Sequence, residues 1–194
     1  MRDCSGELFS PMRFDTTYLP YLLHVPTTLF FFSLPDMEST GDSMDILLSN
    51  YIHTLLVNKI NLSNPRRNIV VILSKADLIP QLPNDLRLYL VNDPLRAALS
   101  SEGKLEPLDS NKMSHYMKEL ANISNIIADW LLSRDAGASG FIAMAKANNI
   151  HVRFSIISSL GGVDITTGLA DDIFPLRVLD PFFWAMDFEK TTSF

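Results

Sequence analysis

Asn68-Ile69-Val70-Val71-Ile72-Leu73-Ser74-Lys75-Ala76-Asp77 is the stretch that decides the fold class. A near-continuous run of branched apolar residues of this length reads as a strand buried on both faces, as in a parallel sheet covered by helices. The run stops abruptly at a polar turn, Ser74 to Asp77. Two other stretches repeat the pattern: Thr28-Leu29-Phe30-Phe31-Phe32-Ser33 before Leu34-Pro35-Asp36, and Val152-Arg153-Phe154-Ser155-Ile156-Ile157 before Ser158-Ser159-Leu160-Gly161-Gly162. Ligand sites in open α/β sheets lie beyond the carboxyl ends of the strands, so these three turns are the places to look for chemistry.

Helical patterns separate the strands. After a polar start at Asp42-Ser43, Leu48, Ile52, Leu55 and Leu56 fall on one face. Met113, Tyr116, Met117, Leu120, Ile123, Ile127, Trp130 and Leu131 recur at spacings of three and four, which predicts one long helix with a core-facing stripe. A third helix is predicted over Ala138 to Ala147. Strand-helix-strand alternation implies right-handed crossovers and one parallel sheet. Between Leu78 and Asn111 come Pro80, Pro83, Pro94, Pro107 and several charges, and this stretch, 78–111, reads as a long excursion over the surface.

Composition removes several function classes. With 47% hydrophobic and 20% charged residues the 194-residue chain is of ordinary globular type, and one domain over 1–194 is expected. A formal net charge of -6 argues against a nucleic-acid surface, which needs clustered Lys and Arg, and Arg66-Arg67 is a lone basic pair. Cys4 is the single cysteine, so no intrachain disulfide can form and a reducing, cytoplasmic setting is expected. The most apolar stretch, Leu19 to Leu34, is broken by Pro20, His24 and Pro26 and falls short of the roughly 20 apolar residues of a membrane span. Neither a span nor a signal peptide is expected. The four histidines, His24, His53, His115 and His151, lack a zinc-ligand spacing. Asp36 and Glu38 could be paired carboxylates, but a solvated turn after Pro35 is the plainer reading.

Ser74-Lys75-Ala76-Asp77 resembles the Asn/Thr/Ser-Lys-x-Asp guanine-specificity motif of the GTPase superfamily. A carboxylate two residues after a lysine can accept both hydrogen bonds from the N1 and N2 edge of guanine, a donor pair that adenine lacks. The resemblance implies that Asp77 selects guanine, that the aliphatic stem of Lys75 lies along the base, and that the Ser74 hydroxyl ties the turn to neighbouring loops. Asp3-Cys4-Ser5-Gly6-Glu7 resembles the Asp-x-x-Gly motif. By that likeness Asp3 would reach Mg²⁺ through water, the Gly6 N–H would meet the γ-phosphate, and Glu7 would stand where many GTPases hold a water-orienting Gln. Ser158-Ser159-Leu160 resembles the Ser-Ala-Lys loop whose backbone amides contact the guanine carbonyl. For each motif alone a bland alternative stays open: a solvated turn, a polar terminus, and a turn made for Gly161-Gly162.

The three matches follow the order of the second half of a P-loop GTPase of the TRAFAC, Ras-like kind. The closing segments, Val152 to Gly162 and Phe174 to Met186, look most like the double-GTPase proteins of bacterial conflict systems. The resemblance implies a three-layer α/β/α fold with a parallel sheet, GTP or GDP as ligand, and Mg²⁺ in a complete domain. No Gly-x-x-x-x-Gly-Lys-Ser/Thr occurs in the chain. The fold is therefore expected to lack the N-terminal strands, to start where the third strand of a GTPase would end, and to turn over nucleotide negligibly. A missing N-terminal half or another protein partner is expected to cover the exposed first strand. The alternative is a non-catalytic pseudo-GTPase that serves as an interaction module.

Overall fold

The computed structural model describes residues 23–40, 44–62, 66–93, 110–134, 138–159 and 175–192, and the statements below concern these. Three parallel strands, β1 (Thr27–Ser33), β2 (Asn68–Ser74) and β3 (His151–Ile156), form a sheet in the order β1-β2-β3. Around it stand six helices: α1 (Leu34–Thr40), α2 (Met44–Val57), α3 (Asn84–Val91), α4 (Ser110–Ser133), α5 (Ala138–Ala147) and α6 (Asp180–Thr192). A single 3₁₀ turn, Ala76–Leu78, follows β2. The chain is thus mixed α/β, with each described strand feeding helices before the next.

β2 is the centre of the core. Ile69 through Leu73 are at most 1% exposed, which is why this strand reads as unbroken hydrophobicity instead of alternation. The register Phe30↔Val71↔Phe154 sets one row of side chains across the sheet. Phe30 meets Tyr51 of α2 edge-on at 5.1 Å, and Phe154 meets Phe141 of α5 at 6.2 Å, so α2 and α5 cover that face. On β3 the next residue back, Arg153, points the other way and lies 5.1 Å from the ring of Trp184 in α6. Helices therefore pack on both faces.

Two polar contacts fasten the layer of α2 and α5. Asp45 Oδ1 accepts from the Phe141 N–H at 2.6 Å, a carboxylate placed at the amino-terminal turn of α5. Gly140 permits this approach, because a Cβ there would sit 3.0 Å from that oxygen. The edge of β3 away from β2 is covered by α4: the buried Phe154 N–H donates to Ser124 Oγ at 3.0 Å. Half of the one basic pair is also structural. Arg67, 4% exposed, donates to the carbonyls of Leu23 and Val25 and holds the entry to β1.

The α4 stripe is core along its length, with Tyr116, Leu120, Ile123, Ile127 and Leu131 buried. α5 occupies the predicted residues 138–147. Some expectations differ from the outcome. In α2, Leu48, Ile52 and Leu55 are buried, but Leu56 is 41% exposed, and Met44 and Tyr51 complete the inner face instead. Within the stretch read as a surface excursion, α3 buries Leu86, Tyr89 and Leu90, and Ile79 and Leu82 are buried before it. Pro83, in extended conformation, stands immediately before the first residue of α3, so it punctuates that stretch without making it a loop. Asp36 lies in the first turn of α1, not in a loop.

Candidate functional site

Ser33 and Ser74 are register partners, so β1 and β2 end side by side. The turn after β2 is bound to both neighbours. Ser74 Oγ donates to the Phe32 carbonyl of β1 at 3.0 Å, and the Ala76 N–H donates to the Ile157 carbonyl beyond β3 at 3.2 Å. Lys75 has the left-handed conformation, φ 57° and ψ 35°, which is uncommon for a residue with a side chain. Reversing the chain there lets Ala76 drop into the core, 1% exposed, while Lys75 and Asp77 stay at the surface side of the turn. The Leu78 N–H closes the turn on the Lys75 carbonyl at 3.1 Å.

Asp77 is half-buried in this 3₁₀ turn, and its carboxylate makes no hydrogen bond or ion pair among the described residues. Lys75 Nζ reaches back over the end of β1 to Asp36 Oδ2 at 3.5 Å. The Asp36 carboxyl sits below the usual carboxylate range, chiefly through the Ser33 hydroxyl and, against some burial, through the Lys75 ammonium.

At the end of β3, Ser158 is 1% exposed and exchanges both backbone hydrogen bonds with Leu176, N–H to carbonyl at 3.0 Å and 2.7 Å in return. Its own amide is therefore taken up within the fold. Ser159, next to it, is exposed at the same turn. Leu160 lies outside the described residues, as do Asp3, Gly6 and Glu7. The structure thus brings together Ser74, Lys75, Asp77, Ser158 and Ser159 at one end of the sheet.

A second polar centre, which sequence reading missed, lies behind this end. Arg177 and Asp180, 1% and 0% exposed, join α3, α4 and α6. The hydroxyls of Tyr89 and Tyr116 both donate to the Asp180 carboxylate. Arg177 donates from Nε to the Tyr89 carbonyl at 2.9 Å and from Nη2 to the Asn92 carbonyl at 2.7 Å, closing the carboxyl end of α3. Its guanidinium stacks 3.6 Å from the Tyr89 ring centroid and lies 3.9 Å from Asp180 Oδ2. The Arg177 N–H donates to Asp93 Oδ2 at 2.9 Å, and Glu119 Oε1 stands 3.9 Å from Nη2. Burial pushes the Asp180 carboxyl up to about 6 against the pull of Tyr116, Tyr89 and Arg177, and burial with the Asp180 charge pushes both tyrosines far upward. Opposite charges three apart inside an apolar segment were the available signal, since lone charges in such a run are rarely buried unpaired.

Among the described residues no group of three His, Cys, Asp or Glu side chains converges, and Asp3, the residue assigned to Mg²⁺ by resemblance, lies outside them. A recess of about 290 Å³ lies at the opposite, amino-terminal end of β3, lined by Arg66, Lys146, Asn149 and His151 among others. It shares no residue with the turn at Asp77. No described helix is long and apolar enough to cross a membrane. Comparisons with family models, with curated proteins and with solved structures return no match to the chain.

Proposed function

We propose that this chain is the guanine-recognising part of a GTPase-like α/β domain, with Asp77 reading the base edge, Lys75 lying against the base and the Ser159 amide meeting the guanine carbonyl. The observation that carries this reading is the Ser74 to Asp77 turn at the carboxyl end of the central, fully buried strand. It is fixed to both neighbouring strand ends and holds the Asp77 carboxylate without a partner among the described residues. A carboxylate so held offers two acceptor oxygens, which suits the paired N1 and N2 donors of guanine and not the adenine edge. The support is local to these residues and to the all-parallel order of the strands that carry them.

The ligand class is a guanine nucleoside or nucleotide, in a cytoplasmic setting. Without a phosphate-binding loop the affinity is expected to be weak and nearly independent of phosphate number. The complete nucleotide site, with Mg²⁺ and turnover, then belongs to an assembly with a further half-domain or partner chain.

A ¹⁵N amide titration of the whole chain with guanosine and with adenosine tests the proposal. Guanosine should shift the amides of residues 75–78 and Ser159 at lower concentration than adenosine does. Equal shifts with the two nucleosides, or shifts confined to other parts of the sheet, would remove the base-reading assignment and favour the interaction-module alternative.

A further inference from the structure

The ion pair between Lys75 and Asp36 has a consequence for the same site, and it rests on the base-reading proposal above. A lysine that lines a base must hold its stem flat across the ligand, yet a lysine is a flexible four-carbon chain, and ordering it opposes binding. Here the ordering is done in advance. Lys75 leaves the end of β2 from a left-handed backbone and its Nζ is caught 3.5 Å from Asp36 Oδ2, in the first turn of α1 after β1. Because Ser33 and Ser74 are register partners, the lysine stem bridges the two adjacent strand ends. Asp36 is carried in the first turn of α1, and Pro35 before it suits a first helical turn.

We infer that Asp36 is a positioning residue for guanine recognition: its carboxylate anchors the Lys75 ammonium so that the lysine methylenes form a preset wall of the base cleft beside Asp77. The pair is half-exposed, with side chains 50% and 65% accessible, so its contribution is modest and salt-sensitive.

The test uses the whole chain and guanosine as the probe. Asp36→Asn keeps the size and shape of the side chain but removes the charge, and Asp36→Glu keeps the charge. Asp36→Asn should weaken guanosine binding about two- to fivefold at low salt, with the loss shrinking toward nothing near 1 M salt, while Asp36→Glu restores most of the affinity. Lys75 in Asp36→Asn should also be acylated faster by an amine-directed reagent, read by peptide mass spectrometry, with the thermal midpoint unchanged. A merely structural role would lower the midpoint and would not show the salt dependence. Wild-type guanosine preference with equal affinity in Asp36→Asn overturns the positioning role and leaves the base reading standing. Absence of any guanine preference in the wild type overturns both.

Discussion

Asp180 carries a carboxylate into a site with no exposure, and the two tyrosine hydroxyls and Arg177 that meet it do not fully offset the loss of water. Its folded pKa of about 6 lies above the unfolded value of 3.8, so protonation favours the fold. That stabilisation is fully present below about pH 4 and is lost as pH rises through about 6, amounting to about 3 kcal/mol over the window. Asp180→Asn removes the titration while leaving an oxygen for one tyrosine. Urea unfolding at pH 4.5 and pH 7.5 should show wild type losing stability relative to the variant as pH rises; parallel curves would mean that Asp180 stays ionised throughout. At this scale the sequence located the turn that ends the central strand, Ser74 to Asp77. Nothing local marked Asp36 as the partner of Lys75, because that pair depends on the Ser33↔Ser74 register, a property of two strands 41 residues apart.

Elements were legible where burial is one-sided or total. β2 is apolar throughout because helices cover both its faces, and α4 declares itself because one stripe of a long helix meets the sheet. α3 was hidden by its surroundings: prolines at 80 and 83 and exposed Asn84, Asp85, Arg87 and Leu88 leave only Leu86, Tyr89 and Leu90 facing inward, too few to outweigh the turn signals. The fit of α4 against β3 yields a test at this scale. Ser124, 2% exposed, supplies the acceptor for the buried Phe154 N–H at the outer edge of the sheet. Ser124→Ala strands that donor and should cost about 1 to 3 kcal/mol, the penalty for an unsatisfied buried group. Denaturant unfolding checks the loss, and amide hydrogen exchange should speed up at Phe154 first. A change within about 0.5 kcal/mol, the range of ordinary surface substitutions, would show that the hydroxyl is not that donor's partner.

As a whole molecule the chain brings the turns after its three described strands to one end of the sheet. β1 has one hydrogen-bonded strand neighbour among the described residues, and Phe31 on it is 55% exposed, with Leu56 and Val57 exposed at the end of α2. An apolar strand edge of this kind is a natural place for a further strand or partner to pair. The parallel α/β architecture was readable from three apolar runs alone. The guanine reading was readable only as a resemblance, and it depends on Asp77 as the acceptor. The most direct measurement is a calorimetric titration of wild type and Asp77→Asn with GDP, ADP and xanthosine diphosphate. Wild type should prefer GDP. Asp77→Asn should lose about 1 to 3 kcal/mol of GDP binding through the missing charge-assisted pair and should shift its preference toward the xanthine nucleotide, whose carbonyl can meet the new amide. Equal binding of GDP and ADP by wild type, or an unchanged rank after Asp77→Asn, would contradict the guanine reading.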